Sequence, residues 1–355
     1  MESTRKSSRP GQIKGVATIY DIAKQSGVSK STVSRVLTNN KSVDPDTRDK
    51  VLAAIKALRF SPNAAARNLS TRSESRIGLV YSNPSVAYFT ELLFGAMEGS
   101  SRNGAHLVVD RCKPGDLDVA IDAVRNLVKD GLNGMILPAP LSEEASLIKE
   151  LTKQGVSVVG VATSGIRTDL NSLDIDNYAA AYEMMSYLIK LGHRHVGFVK
   201  GHPDMLSSRL RFEGVQAAIK DAGKAVAKPI FVQGYNNYRS GLEAADKILS
   251  SGSKITAIFA NNDDMASGVM SMAHRKGLNV PQDISVVGFD DTIAGTVWPE
   301  LTTIRQPIAE IGAQAVDIIV ENIRLTRSGS SPEIHNLSVP HTLVVRESAA
   351  APPIR

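Results

Sequence analysis

Side chains that can donate hydrogen bonds are concentrated in one short stretch, residues 29–35 (SKSTVSR). Lys30 and Ser31 open a predicted helix, and the first turn of such a helix can reach base edges in the major groove of DNA. Ser34 and Arg35, one turn later, can hold phosphate oxygens, which fix a protein on the duplex without reading its sequence. These residue types therefore predict base reading by the first pair and backbone contact by the second.

Three short helical patterns must hold these side chains, at about residues 19–26, 30–38 and 45–58. Gly27 supplies a left-handed turn between the first two, and Ser29 is the expected N-cap of the second. Two short helices joined by a glycine-containing turn, with donors on the second, are typical of a helix-turn-helix.

Capping residues and apolar spacing support these helices. Thr18 and Asp21 form a Thr-x-x-acid capping box, while Asp44 and Pro45 place a cap and a first-turn proline before the third helix. The side chains predicted to point inward are Ile19, Ile22, Ala23, Val28, Val33, Val36, Leu37, Val51, Leu52, Ile55 and Leu58.

A fourth segment, residues 62–71 (PNAAARNLST), is too short to be a stable isolated helix in water. Its alanines allow two copies to pack closely or to lie deep in a narrow groove. Leu69 is a lone large apolar side chain on this segment, and such a side chain can act as a wedge between base pairs. The alternative is a simple linker helix that touches the body of the protein.

Charge is unevenly distributed along the 355 residues. Residues 1–76 carry 15 Lys and Arg against 6 Asp and Glu, whereas the remainder carries 26 against 30. A basic module joined to a mildly acidic body indicates that the first part meets a polyanion. Residues 1–16 show no periodicity and no apolar run, so we expect a flexible basic tail and no secretory signal.

From Arg76 onward, apolar runs of strand length alternate with amphipathic helical patterns. Such runs are typical of parallel strands covered on both faces. Their number predicts two doubly wound sheets of about four to six strands, although an eight-stranded barrel fits the same count. The predicted strands are 76–81, 105–110, 134–139, 156–161, 195–201, 229–234, 255–261 and 285–290.

The alternation breaks after TTIRQP (302–307). A helical pattern, IAEIGAQAVDIIVENIRL, is followed by two strand-like pieces, EIHNLSV and HTLVVRE. This order predicts that the chain crosses back between two subdomains. The last residues carry no heptad repeat, and no run of eighteen apolar residues could span a membrane.

The stretches TIYDIAKQSGVSKSTVSRVL and FSPNAAARNLSTRSESRIGLV resemble the start of a lactose/galactose-repressor family regulator. The likeness continues, in the expected order and spacing, through LIKLGHRHVGFVKG, RLRFEG, IFANNDDMASGVM, ISVVGFDDT and PELTTIRQP. The resemblance implies an all-α helix-turn-helix headpiece and an α/β body of two periplasmic-binding-protein-type subdomains. It also implies a regulator that binds a palindromic operator as a homodimer.

The resemblance assigns roles within the headpiece. Lys30, Ser31 and Thr32 match the start of the recognition helix of the family. Leu69 matches the leucine that the family inserts into the minor groove, with Ala66 beside it, in a hinge that orders only on DNA. The expected DNA contacts are Thr18, Tyr20, Ser29, Lys30, Ser31, Thr32, Ser34, Arg35, Asn63, Ala66 and Leu69.

The body resembles a sugar-binding protein whose cleft lies at the carboxyl ends of the strands. Tyr88 and Phe89 match aromatic positions that stack on a ligand ring. Arg211 matches an arginine that reaches ligand hydroxyls or acids, and Asn262 and Asp290 match polar ligand contacts.

Two positions depart from the family pattern. Asn236, next to Tyr235, stands where several relatives have an aromatic residue, and Val161-Ala162 stands where many have an acidic one. The residue types still suit a polyhydroxylated ring, since an arginine, an amide and a carboxylate can each pair with vicinal hydroxyls. A sugar is the predicted effector, with a nucleobase or another metabolite as the alternative. The expected effector site is Tyr88, Phe89, Arg211, Asn236, Asn262 and Asp290.

Two other classes of function fit the sequence less well. The common α/β enzyme motifs, namely the P-loop, G-x-S-x-G, H-E-x-x-H and G-x-G-x-x-G, are absent from the sequence. His193 and His195 precede a strand as a loop pair, and the adjacent Asp290 and Asp291 should point apart. We therefore predict no enzyme activity, no metal and no cofactor. A sugar transport receptor would need a signal peptide and no headpiece.

The sequence predicts an allosteric repressor in the cytoplasm that binds operator DNA, a small effector and a second copy of itself, and no membrane. The single cysteine, Cys112, excludes an intrachain disulfide and fits a reducing compartment. The predicted units are a tail (1–16), headpiece (17–61), hinge helix and linker (62–75), core (76–349) and tail (350–355). Within the core, we expect one subdomain at 76–175 and 306–338 and another at 176–305 and 339–349.

Overall fold

A computed structural model describes residues 19–37, 43–58, 75–81, 83–111, 116–163 and 169–353. The chain divides into two compact units, Met1–Ser73 and Glu74–Arg355. The predicted hinge helix, with Asn63, Ala66 and Leu69, lies outside the described residues, and so do Thr18 and Cys112.

The described part of the first unit contains the helices α1 (Ile19–Ser26), α2 (Lys30–Leu37) and α3 (Pro45–Ala57). Gly27 links α1 to α2 with a φ of +70°, a backbone conformation that favours glycine. Asp44 caps α3 as predicted, because its carboxylate accepts a hydrogen bond from the Thr47 amide at 3.1 Å.

A small apolar core joins these three helices. Ile22, Val33 and Val51 are fully buried at its centre. The prediction that Leu52 points inward is wrong: its side chain is 49% exposed, and Ala54 is buried instead. Residues three and four apart share a helix face, so the face that contains Val51 continues through Ala54 and leaves Leu52 towards solvent.

The second unit alternates strands and helices. Its strands are β1 (Arg76–Tyr81), β2 (His106–Arg111), β3 (Gly134–Pro138), β4 (Ser157–Val161), β5 (Asn171–Asp174), β6 (Val196–Lys200), β7 (Ile230–Gln233), β8 (Ala257–Ala260), β9 (Ser285–Val287), β10 (Thr303–Arg305), β11 (Asn336–Ser338) and β12 (Thr342–Val344). Its α-helices are α4 (Val86–Asn103), α5 (Leu117–Lys129), α6 (Ala145–Lys153), α7 (Asn177–Lys190), α8 (Leu206–Ala222), α9 (Tyr238–Leu249), α10 (Asp263–Arg275) and α11 (Ile308–Arg327).

Two parallel sheets form the body of this unit. The first has the strand order β11-β5-β4-β3-β1-β2, and the second has the order β7-β6-β8-β9. Both are open sheets, which confirms the predicted pair of doubly wound subdomains and excludes the eight-stranded barrel. No helix in the described residues is both long and apolar enough to cross a membrane.

The chain after β10 contributes strands to both subdomains, as the order of its patterns predicted. β11 extends the first sheet beside β5, whereas β12 pairs antiparallel with β10. Strands β5 and β10 were not predicted, because each is only three or four residues long and β5 (NSLD) lacks an apolar run. The carboxyl-terminal residues then follow β9, where the Ala350 amide donates to Ser285 Oγ at 3.0 Å.

Helix α11 returns to pack closely against α4. Gly95 of α4 faces the Ala309 carbonyl, and Gly312 of α11 faces the Leu92 carbonyl, so that the two backbones approach without intervening side chains. Both glycines lie within helices, where their cost in helix propensity is offset by this close approach.

We expect Gly95→Ala to destabilise the protein by about 1–3 kcal/mol, because the added methyl group would overlap the Ala309 backbone and force the helices apart. Denaturant unfolding measures the change. Gly295→Ala is the matched control, since a side chain at Gly295 would meet nothing within 4 Å. Equal stability of the two variants would contradict the packing described for α4 and α11.

Candidate nucleic-acid interface and effector cleft

Helix α2 presents its polar side to solvent. Lys30, Ser31, Ser34 and Arg35 are exposed, while Thr32 is half-buried. Ser29 caps the helix as predicted, accepting a hydrogen bond from the Thr32 amide at 3.2 Å. The exposed side chains can therefore meet a ligand without disturbing the core of the first unit.

Tyr20 and Lys30 lie together on this polar side. The Lys30 ammonium is 5.0 Å from the centroid of the Tyr20 ring, which is a cation–π distance. Tyr20 is 60% exposed, so its ring rests against the lysine rather than in the core. The contact restricts a long flexible side chain at the first turn of the helix, where base edges would be read.

The described residues of the second unit enclose a small cavity between the carboxyl ends of the two sheets. Five of the six predicted effector residues line it, and Phe89 packs in the apolar core instead. The cavity measures about 30 Å³. Its lining consists of Asn83, Ser85, Tyr88, Ala139, Ala162, Met205, Ser207, Arg211, Asn236, Asn262 and Asp290.

The buried pair Arg211 and Asp290 is the charged centre of this inner cavity. Arg211 Nη1 lies 3.4 Å from Asp290 Oδ1, and the guanidinium stacks 3.6 Å from the centroid of the Phe289 ring. Its Nε donates to Asn177 Oδ1 at 2.8 Å, and Nη1 also donates to the Asn261 carbonyl at 2.7 Å. Arg211 is thus a buried, oriented group rather than a solvated one.

Burial shifts the pKa of the acidic groups here. It raises the pKa of Asp290 to about 6, although the neighbouring Arg211 charge and the hydrogen bond from Gln306 oppose the rise. Burial also raises the pKa of Asp263 well above its usual value, and the nearby Asp290 charge adds to that rise. Asp290 lines the inner cavity, and a carboxyl group with a perturbed pKa in a cleft is typical of a functional site.

Several residues around the inner cavity have backbone with positive φ. Within the described residues, the non-glycine positions with positive φ are Ala162, Asn236, Asp290 and Asp291, at +57°, +55°, +108° and +60°. The first three line the inner cavity, and each follows a strand of one of the two sheets. Such conformations cost about 1–3 kcal/mol each and persist where the surroundings hold the residue in place for a function.

The predicted amide residues already have protein partners. Asn262 caps α10 by accepting from the Met265 amide at 3.0 Å, and its Nδ2 donates to the Asn236 carbonyl at 3.2 Å. Asn236 Oδ1 accepts from Asn261 Nδ2 at 3.1 Å. Asn261 Oδ1 is buried with no hydrogen-bond partner among the described residues.

Two hydrogen bonds between described residues cross the cleft and hold it closed. Ser85, the N-cap of α4, donates to Asp264 Oδ2 at 2.5 Å. Glu143 Oε1 accepts from the Leu206 amide at 3.0 Å and so caps α8 from the opposite side of the cleft. A cavity of about 30 Å³ cannot hold a sugar ring, so a ligand must open the cleft at these contacts.

The neighbouring polar pairs have structural roles. Asp291 points away from Asp290 and bonds Arg305 at 2.6 Å and Arg346 at 2.7 Å. His193 is buried between Thr256 Oγ1 and the Ala350 carbonyl, each at 2.9 Å, whereas His195 is exposed. The two histidines therefore do not converge on a shared ligand.

Several residues of the site were not predicted. Ser85, Met205 and Ser207 line the inner cavity, and Gln306 holds the Asp290 carboxylate. Their common signal is position, because each follows the carboxyl end of a strand or begins the next helix. Asn177 shares this position as the first residue of α7, and the packing of α7 on α8 brings it to Arg211.

Comparisons with known proteins agree with this arrangement. The model of the lacI family of bacterial regulatory proteins matches residues 18–63, and that of the periplasmic binding protein-like domain matches residues 185–349. Catabolite control protein A of Priestia megaterium is 33% identical over 334 residues, which cover 93% of this chain and 98% of that protein. The chain belongs to the lacI family. It is a DNA-binding transcriptional regulator with an effector-binding domain, and its relatives confirm that it is not an enzyme.

Solved structures of two transcriptional regulators have the same fold. The lac repressor dimer bound to operator and the anti-inducer ONPF superimposes with a TM-score of 0.72 at 28% identity, covering 95% of this chain and all of that one. A complex of the regulator CelR with cellobiose gives a TM-score of 0.68 at 26% identity, covering 94% and 99%. Both confirm the headpiece and the two-subdomain body.

We expect Tyr20→Leu to reduce discrimination between a preferred DNA site and single-base variants of it, because Lys30 loses the ring that orients it. A change of about threefold to tenfold corresponds to the strength of a cation–π contact. Tyr20→Phe keeps the ring and should retain most of the discrimination. Fluorescence anisotropy titration at fixed salt measures both variants. If the two variants behave alike, the cation–π contact has no part in recognition.

Proposed function

We propose that the protein is a homodimeric repressor that acts in the cytoplasm, binds a palindromic operator, and is controlled by a sugar or sugar-like effector in its cleft. The observation that carries the proposal is the set of buried polar groups between the two sheets, Arg211, Asp290, Asn236 and Asn262. Two of them, Asn236 and Asp290, stand on backbone with positive φ. This site is joined in one chain to a helix-turn-helix with an exposed row of donors.

DNA recognition is assigned to the exposed face of α2. Lys30 and Ser31 would read base edges, and Ser34 and Arg35 would hold phosphates. Leu69 of the predicted hinge would enter the minor groove at the operator centre, where kinking the duplex costs a few kcal/mol of base unstacking. Two half-sites are needed to offset that cost, which supports a dimer on a palindrome.

Exposed apolar side chains support a second copy as the partner. Val86, Phe94 and Met97 lie along one face of α4 and are 64%, 58% and 52% exposed. Trp298, the only tryptophan, is 83% exposed. The three side chains on α4 form an exposed apolar patch of the kind that a partner covers, and the similar lac repressor is a dimer.

A sugar is favoured by the chemistry of the inner cavity. An arginine, a carboxylate and amides can pair with neighbouring hydroxyl groups, and Tyr88 offers an aromatic face. The similar regulator CelR forms a complex with cellobiose. A purine or another small metabolite is the competing class, and it would leave Arg211 and Asp290 with fewer hydroxyl partners.

Control of DNA binding then follows from thermodynamic linkage between effector binding and operator binding. An effector that separates Ser85 from Asp264 binds an open cleft more tightly than a closed one, and it can shift the equilibrium only by that difference in affinity. The change in the spacing of the subdomains alters how two hinges meet across the dimer. Operator affinity therefore depends on occupancy of the cleft.

An operator selected from a random-sequence library tests this function. We expect a palindrome, and we expect Leu69→Ala to weaken binding to it by at least tenfold while changing non-specific binding little, since a wedge contributes only at the operator centre. Sugars added at fixed salt should shift the wild-type operator affinity, and the sign of the shift identifies an inducer or a corepressor.

Other results would overturn parts of this proposal. Equal loss of specific and non-specific binding in Leu69→Ala would overturn the proposed insertion of Leu69 into the minor groove. A non-palindromic site bound by a monomer would overturn the proposal that the protein binds DNA as a dimer. A shift caused by purine bases and by no sugar would replace the effector class, while leaving the DNA-binding function intact.

The raised pKa of Asp290 predicts a pH-dependent effector affinity. The carboxylate accepts ligand hydroxyls when ionised, which requires a pH above about 6. We expect affinity to fall about tenfold between pH 7 and pH 5 and a proton to be released on binding near pH 6, because the ligand favours the ionised form. Calorimetry in two buffers of different ionisation enthalpy measures that proton, and Asp290→Asn should abolish its release. Proton uptake would contradict a hydroxyl donor at Asp290.

A further inference from the structure

A second, larger cavity lies outside the inner one, at the mouth of the cleft. It measures about 470 Å³, which is within the range of small-molecule sites. Pro84, Leu117 and Pro140 line it from the side of the first sheet, and His202 and Tyr235 line it from the side of the second. We call this space the outer cleft.

The outer cleft adjoins the inner cavity. Met205 is buried at their boundary and lines both of them. The inner cavity carries the buried polar groups, whereas the outer cleft has the room. A ligand anchored on Arg211 and Asp290 and longer than one ring would therefore extend past Met205 into the outer cleft.

An aromatic side chain, Tyr235, lines the outer cleft. Tyr235 is 47% exposed, and its ring meets the His202 ring edge to face at 5.7 Å between centroids. Its amide donates to Ser240 Oγ at 2.9 Å, which fixes the backbone beside α9. A partly exposed ring held by its neighbours in a cleft is suited to cover the apolar face of a sugar.

The charge of the outer cleft is negative. Asp116, Glu143, Glu144 and Asp204 line it, and neither lysine nor arginine does so among the described residues. Burial raises the pKa of Glu143, and the nearby Arg209 charge opposes that rise. The guanidinium of Arg209 lies 3.9 Å from the Glu213 carboxylate, however, and does not line the outer cleft. An added phosphate or carboxylate would meet these carboxylates, and no described lysine or arginine of the lining could pair with it.

We infer that the effector is an uncharged glycoside of two rings, with one ring in the inner cavity and the second in the outer cleft against Tyr235. The carboxylates of the outer cleft exclude phosphorylated and acidic sugars and can accept hydrogen bonds from the hydroxyls of the second ring. This inference rests on the proposed sugar effector and specifies its size and charge.

Calorimetry of the full-length protein tests the size of the effector. The probes are cellobiose, maltose, lactose and trehalose, together with glucose, galactose and hypoxanthine. We expect at least one disaccharide to bind about tenfold or more tightly than its monosaccharides, and Tyr235→Ala to remove most of that advantage. Tyr235→Phe should keep it. Tyr238→Ala is the matched control, because Tyr238 is 45% exposed nearby but does not line the cavity.

A second measurement tests the exclusion of anions. The 6-phosphate of the bound disaccharide should bind at least tenfold more weakly than the neutral form. In Glu144→Gln/Asp204→Asn, the ratio of the two affinities should move towards one. The control Glu98→Gln/Glu321→Gln removes two carboxylates outside the cleft and should leave the ratio as it is in the wild type.

The outcomes separate this inference from the proposed function. Monosaccharides that bind as tightly as disaccharides, or a Tyr235→Ala variant with an unchanged preference, would overturn the two-ring effector and leave a sugar effector in place. A phosphorylated disaccharide that binds as tightly as the neutral one would overturn the charge selection. Binding of hypoxanthine alone, or of no sugar, would overturn the sugar effector itself.

Discussion

The pairing of Arg211 with Asp290 is the constraint on which the body of the protein depends. Two buried charges lose their hydration, and their attraction offsets that loss only when further hydrogen bonds complete both groups. Asn177 and the Asn261 carbonyl complete Arg211, and Gln306 completes Asp290. These partners come from the starts of helices and the ends of strands in different parts of the unit. The pair therefore fixes the positions of α7, α8, β8 and the segment before α11 relative to each other.

The same constraint explains the strained backbone around the cleft. Asp290 and Asp291 are adjacent, yet one must reach Arg211 while the other bonds Arg305 and Arg346. Both adopt positive φ, and so do Ala162 and Asn236 after strands β4 and β7. Alanine rarely adopts this conformation, and asparagine and aspartate adopt it less readily than glycine, so contacts formed on folding must hold these residues there. The cleft is consequently a set of fixed groups rather than a flexible loop.

The architecture could be predicted from the sequence because parallel strands and amphipathic helices leave strong periodic signals. Buried runs such as residues 134–139 and 285–290 appeared as strands near their predicted positions, and Gly27 and Asp44 appeared as the expected turn and cap. Local patterns did not reveal β5, nor the roles of Asn177 and Gln306, because those depend on contacts between residues distant along the chain. The types of residue in the cleft were predictable, whereas its closure was not. Phe89 shows the same limit, since adjacency to Tyr88 does not tell which ring faces the cavity and which the core.

The hydrogen bonds from Ser85 to Asp264 and from the Leu206 amide to Glu143 affect the effector concentration at which the regulator responds. In the proposed mechanism, an effector that enters the inner cavity must first separate them, so its apparent affinity is the affinity of the open cleft multiplied by the fraction of molecules that are open. The concentration at which the regulator responds is then set partly by two contacts away from the centre of the ligand site. Selection could retune that concentration through Ser85 or Glu143 without changing which molecule is recognised, so the sensitivity of the switch and its chemical specificity can evolve separately.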